Sequence, residues 1–183
     1  MTAGAEPVHG DLTNGDAPRD GMNGCGVVVH AAAHTKQWGP RQGFHEVNVV
    51  GTEAVILAAR RSSATRLVHV STEAVLADGH QLVGVDETYP RPAHAVGEYA
   101  RTKALAEELV LAANGSGLAT MAVRPRLVWG PGDTTILPAI AQAARNGRFA
   151  WIDGGNYLTS TCHVANACEG IALAAEHGRA GEV

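Results

Sequence analysis

Lysine is almost missing from this sequence. Only Lys36 and Lys103 occur among 183 residues, and Lys+Arg total 14 against 18 Asp+Glu, a formal net charge of −4. A chain without basic excess cannot neutralise many phosphates, which argues against a nucleic-acid partner. It also has no polybasic run to hold it on an anionic membrane surface. Cysteine is scarce too. Cys25, Cys162 and Cys168 show no CxxC spacing and leave an odd thiol, a pattern of a reducing interior and not of a disulfide scaffold. No apolar run approaches the length needed to cross a bilayer. The opening Met1-Thr2-Ala3-Gly4-Ala5-Glu6 has neither the basic region nor the apolar core of a secretory signal. These absences predict a cytoplasmic protein with no membrane partner. There is no Gly-x-Ser-x-Gly elbow and no His-Glu-x-x-His pair, so hydrolase and zinc-protease chemistry fall away and no metal site is expected. The nine histidines are read as scattered core or surface residues, and Cys162 and Cys168 as small buried hydrophobes.

What is present points to one globular domain. Hydrophobic residues make up 45% and charged ones 17%, enough apolar material for a single core. Short apolar runs rich in β-branched residues alternate with segments of helical period. Val27–Ala31, Leu67–Val70 and Thr120–Val123 read as strands covered on both faces. Pro7–His9 and Phe149–Ile152 are weaker candidates. Phe44, Val47, Val50, Ala54 and Leu57 form one helical stripe running to about Arg61. Glu98–Ala113 ends on Asn114-Gly115 and Ile136–Arg145 on Asn146-Gly147, both stop signals, and a last helix is expected over Val164–His177. Strands alternating with helices predict an α/β fold with right-handed crossovers and a parallel sheet.

The chemistry sits in Tyr99-Ala100-Arg101-Thr102-Lys103. A phenol and an ammonium at i and i+4 share a helical face one turn apart. A free tyrosine titrates near ~10, and a nearby cation lowers that value toward the range in which it exchanges protons with an alcohol. Ser71 and Thr72 follow the strand Leu67–Val70, at the strand end where open α/β sheets bind ligands. A hydroxyl there can stabilise charge on a reacting oxygen; the plainer reading is a turn or helix cap.

With these residues in view, the chain resembles the extended short-chain dehydrogenase/reductases. Val8-His9-Gly10-Asp11-Leu12 is similar to that family's third-strand segment, and Val28–Ala33 to its fourth-strand segment. Phe44–Thr52 resembles its Asn-Val-x-Gly-Thr helix, Val70-Ser71-Thr72 with Tyr99 and Lys103 its catalytic groups, Val123–Asp133 its Arg-Pro segment, and His163–Asn166 its later His-Val-x-Asn segment. The resemblance implies catalytic roles for Tyr99, Lys103, Thr72 and Asn48, with Ser71 sharing the polar role of Thr72. It implies NAD or NADP as cofactor, with Asp11 and Leu12 at the adenine, Ala31, Ala32 and Ala33 along the dinucleotide, Pro125 beside it and Lys103 on the ribose. It also implies a homodimer through the helix bearing Tyr99, burying Leu105 and Leu109.

The family's opening strand and Gly-rich phosphate loop are not found. Gly21-Met22-Asn23-Gly24-Cys25-Gly26 precedes a strand instead of following one and opening a helix, so it is not that loop. The expectation is therefore a partial Rossmann-like, doubly wound parallel sheet lacking its first two strands and the Gly-rich loop. It is expected as a single truncated unit over 1–183, with the start of a substrate-binding part from about residue 130. Losing the central strands would leave Val27–Ala31 as an apolar edge. The residue that would discriminate NAD from NADP is not present.

Gly130–Pro138 resembles the 3β-hydroxysteroid dehydrogenase branch, which implies an oxidoreductase acting on a small-molecule secondary alcohol or ketone. Trp38, Trp129 and Trp151 are candidates to line an apolar pocket. A sugar-nucleotide epimerase or dehydratase is the alternative, and a catalytically inactive remnant or interaction module is the alternative of another class.

Overall fold

The computed structural model describes residues 4–13, 16–36, 38–115 and 117–183. A short helix α1 (Asp16–Gly21) leads into strand β1 (Val27–His30). Helix α2 (Arg41–His45), a π-helical turn (Glu46–Val50) and α3 (Gly51–Arg61) then run on without a break. Strand β2 (Arg66–Val70), helix α4 (Gly97–Ala112) and strand β3 (Ala119–Val123) follow. Beyond them lie β4 (Val128–Trp129), α5 (Ile136–Arg145), β5 (Cys162–His163) and α6 (Val164–His177).

The main sheet is parallel in the order β1-β2-β3, with His30 level with His69 and Val70 level with Val123. Successive strand residues face opposite sides. Val28, Leu67 and Leu118 therefore join Val55, Ile56, Ala59 and Val110 in the core beneath α3 and α4. Val68 and Met121, which are paired in register, face the other side, where α6 crosses. Arg66 donates to the carbonyls of Ala174 (3.1 Å) and Gly178 (2.6 Å), closing the end of α6. Helices on both faces of a parallel sheet make the partial doubly wound fold expected.

Several sequence expectations change. Strand β1 is not covered on both sides: Val27 and Val29 are 42% and 47% exposed while Val28 and His30 are buried. Its free edge carries no partner strand among the described residues. Pro7–His9 is irregular and exposed, and Phe149–Ile152 is no strand. The parallel pairing of β4 with β5, Val128 opposite Cys162, escaped prediction because each strand is only two residues long.

The helical stripe also shifts. Buried positions are Phe44, Asn48, Val49, Thr52, Val55, Ile56 and Ala59, whereas Val50 and Leu57 are exposed. A π turn holds more residues than an α turn, so it rotates the buried face relative to a uniform 3.6-residue reading. The rotation brings two polar side chains, Asn48 and Thr52, inward. Cys168 is exposed and Cys162 half-buried, so neither is the core hydrophobe expected.

Candidate active site

Parallel strands in close register deliver their carboxyl ends to one edge. Ala31–Ala33 leave β1 there, Ser71-Thr72 leave β2, and Arg124-Pro125 leave β3. Helix α4 packs over this edge with Ala100, Lys103, Ala106, Glu107 and Val110 buried at three- and four-residue spacing. Two of these, Lys103 and Glu107, are charged. The apolar core of β1, β2 and α4 thus turns polar at its upper end.

Tyr99 is half-buried on α4. Burial is the main influence on its phenol and raises its pKa above the ordinary value; a hydrogen bond with the Thr72 side chain pulls the other way, and the charge of Glu73 adds to the rise. The Thr72 hydroxyl also accepts from Ala74 N at 3.2 Å and donates to Glu73 Oε2 at 3.1 Å. It is both cap and neighbour of the phenol.

Lys103 departs from expectation. Its ammonium donates to the Val70 carbonyl at 2.8 Å and contacts His69 Nε2 at 3.1 Å. The stem runs inward, so the side chain is only 2% exposed. Burial lowers its pKa to about 8, opposed by the charge of Glu107. The anticipated acidification of Tyr99 by this cation is thus not what the structure shows: the ammonium serves the end of β2, and the phenol is raised.

Asn48 and Ser71 are likewise brought near but engaged elsewhere. The Asn48 amide oxygen accepts from His34 N at 2.7 Å, and its nitrogen donates to Thr102 Oγ1 at 3.0 Å and to His34 O at 3.3 Å. It ties the segment after β1 to α4 and so positions the helix that carries Tyr99. Ser71 Oγ donates to Glu107 Oε2 at 2.6 Å. That carboxylate, fully buried, also receives Arg124 at 2.6 and 3.0 Å.

Sequence reading missed His30, His69 and Glu107. The two histidines share a face and a register position on adjacent strands, their rings 5.1 Å apart. Burial is the larger cause holding both neutral, with the charge of Lys103 second; His30 falls to about 4 and His69 to about 2. Their signal was parity along β1 and β2. For Glu107 it was a further i+4 step beyond Lys103. The three tryptophans do not share a setting: Trp38 is 87% and Trp151 73% exposed, and Trp129 stacks edge-on against His163. Among the described residues no group of three or more His, Cys, Asp or Glu is placed to hold a metal.

A nicotinamide dinucleotide fits this edge in part. Small exposed residues at Ala31 and Ala32 leave space beside the strand ends, near Tyr99 and Thr72. Leu12 seats against Gly51, where an added Cβ would lie 3.4 Å away, so the Asp11-Leu12 segment docks on the start of α3. Asp11 is exposed and accepts from Thr13 N and Oγ1 at 2.8 and 2.6 Å, and these bonds hold its pKa below the ordinary value. The described residues supply no glycine-rich turn between a strand and a helix start, so the pyrophosphate has no cradle here. Gly21–Gly26 closes α1 ahead of β1, as its order in the sequence required.

A phenol, a hydroxyl and a buried ammonium thus lie near the carboxyl edge of a parallel α/β sheet. The chain belongs to the 3-beta hydroxysteroid dehydrogenase/isomerase family, which it matches over residues 2–179. It is 54% identical to a 4-hydroxy-2-methyl-3-oxo-4-farnesyl-3,4-dihydroquinoline-1-oxide ketoreductase of Stigmatella aurantiaca, over 98% of this chain and 54% of that protein. It is 39% identical to a 2-alkyl-3-oxoalkanoate reductase of Stenotrophomonas maltophilia, over 94% and 53% respectively. Among solved structures, a dTDP-glucose 4,6-dehydratase from Streptomyces venezuelae with NAD bound superposes with a TM-score of 0.83 at 28% identity, covering 98% of this chain and 58% of that one. The chain spans about half the length of the curated relatives it matches. No helix among the described residues is long and apolar enough to cross a membrane.

Proposed function

We propose that this chain carries the proton-transfer half of an NAD(P)-dependent oxidoreductase site that reduces an apolar ketone to a secondary alcohol. The observation behind the reading is the placement of Tyr99 beside Thr72 and near the buried Lys103 at the carboxyl edge of a parallel sheet. A phenol held above its ordinary pKa is protonated at neutral pH, which suits it to donate a proton to a carbonyl oxygen as that oxygen gains charge. Thr72 orients the phenol and can share the developing charge. Lys103, on the same helix, holds the end of β2 through the Val70 carbonyl. Bound NADH or NADPH would supply the hydride.

Apolar substrates are favoured by the surface beyond residue 130, proposed as the start of the substrate-binding part. Leu137, Ile140, Trp151, Ile152 and Leu158 are all more than 40% exposed there. The names of the two reductase relatives, one acting on a farnesylated ring and one on an alkyl chain, point the same way. A sugar-nucleotide substrate is the second reading, supported by the dehydratase likeness. An interaction module is the third, supported by the exposed edge of β1. Oxidation of a hydroxysteroid at high NAD or NADP, or reduction of a long-chain 3-oxo compound at high NADH or NADPH, with no turnover of a UDP-hexose, is the outcome expected. Tyr99→Phe should abolish that turnover while leaving the circular dichroism spectrum intact; unchanged turnover in the variant would remove the enzymatic reading. A cytoplasmic location and a homodimer through α4 remain part of the proposal, although Leu109 already packs on its own core.

A further inference from the structure

One buried group at the polar end of the core has no part in the proposed proton transfer. His69 is fully buried on the α4 face of β2, with Lys103 Nζ 3.1 Å from Nε2. Its other ring nitrogen, Nδ1, is buried without a hydrogen-bond partner. An ammonium has only donors, so Nε2 must accept and the ring proton must sit on Nδ1, where nothing receives it. A leucine in this place would bury no such orphan and would satisfy the core better. Packing alone does not explain an imidazole here. The ammonium does.

We propose that His69 is a positioning residue for Lys103: its unprotonated Nε2 fixes the ammonium at the carboxyl end of β2, below Tyr99, and preserves it as a cation inside the core. The role of Lys103 in catalysis rests on the function proposed above; the contact itself does not. Lys103 has two acceptors, His69 Nε2 and Val70 O at 2.8 Å. Removing one leaves a buried cation with a single hydrogen bond.

The charged and titratable groups facing Lys103 come from every element packed on it. His69 comes from β2 and His30 from β1, and Glu107 and Tyr99 lie on α4 itself. Arg124, past the end of β3, is spent on Glu107. From the helix over 41–61, Arg41 reaches α4 only at Glu98, 3.0 Å away. Burial and the charge of Lys103 keep both histidines neutral. The local balance therefore turns on Glu107 and on the neutral acceptors.

Scarcity of lysine makes the test direct. In protein labelled with 13C,15N-lysine, Lys36→Arg leaves one lysine side chain to follow by NMR. Lys103 should titrate close to its wild-type pH in His69→Gln, whose amide oxygen still accepts. In His69→Leu it should titrate at least one pH unit lower, a tenfold loss in the ammonium-to-amine ratio at fixed pH. An identical titration in His69→Leu and the parent, or a fall in His69→Gln as large as in His69→Leu, overturns the proposal. Ring 15N shifts of His69 in the parent protein give a second readout that needs no variant to fold. The Nδ1–H tautomer is expected, and an Nε2–H tautomer overturns the assignment. Neither measurement reads turnover, so a chain without oxidoreductase activity would still show both, and failure here leaves the Tyr99→Phe result standing.

Discussion

Glu107 and Arg124 meet fork to fork: the guanidinium donates Nη2–H to Oε1 at 2.6 Å and Nε–H to Oε2 at 3.0 Å, with the carboxylate wholly out of solvent. The pair joins the middle of α4 to the segment leaving β3, and the Ser71 hydroxyl adds the end of β2 at 2.6 Å. Three elements that bear proposed site residues are therefore locked by one carboxylate. Arg91, on the loop before α4, approaches the same carboxylate at 3.8 Å.

Breaking a buried pair by removing one partner leaves an uncompensated charge and costs about 3–5 kcal/mol. Glu107→Ala is expected to destabilise the fold by that amount in urea unfolding. A cost below about 1 kcal/mol, the range of exposed pairs, would show that the carboxylate does not lock these elements.

Stability should fall as acid is added. His30 and His69 have folded pKa values of about 4 and about 2, against an ordinary value of 6.5. Below pH 6.5 the unfolded chain takes up protons that the folded chain refuses, so their contribution is complete above 6.5 and is lost as pH falls from 6.5 toward 4. The slope well inside that window is about 1.4 kcal/mol per pH unit for each histidine. Asp133, lowered to about 2 by amide bonds from Leu137, Thr135 and Ile136, adds its own loss only below 3.8. Urea unfolding at pH 7 and pH 5 measures chiefly the histidine effect, with Glu98, lowered from 4.5, only beginning to contribute at the lower value. His69→Gln should roughly halve it, and equal stability at the two pH values would contradict neutral burial of these rings.

Thr72→Val keeps the volume at the end of β2 and deletes the hydroxyl. The Tyr99 phenol, one of three in the chain, should then titrate at higher pH in ultraviolet difference spectra. Ketone reduction should drop by about 10²-fold, the loss typical of one donor at a developing oxyanion. A phenol titration that does not move would separate Thr72 from Tyr99.

Binding of NADH by the chain should be weak or undetectable in isothermal titration calorimetry, because the described residues supply strand ends and small side chains but no pyrophosphate cradle. Micromolar affinity would mean that other residues of this chain hold the phosphates.

Three parallel strands, the α4 helix and the ends of α5 and α6 were legible in the sequence because each rests on local signals. Those signals are β-branched runs, a helical period, and Asn-Gly stops. Tyr99, Lys103 and Thr72 were singled out for the same reason, as spacing and position after a strand are properties of the chain. Whether Lys103 faces its phenol was not such a property. It depends on a carbonyl and an imidazole from β2, more than thirty residues earlier, and on the depth at which α4 packs. The π turn at Glu46–Val50 likewise left no mark in composition, yet it turned Asn48 and Thr52 inward. Sequence alone determined which titratable groups this protein has and where they recur; tertiary packing decided which of them are charged, which touch, and which only hold the others in place, because burial and hydrogen-bond partners are set by residues far apart in the chain.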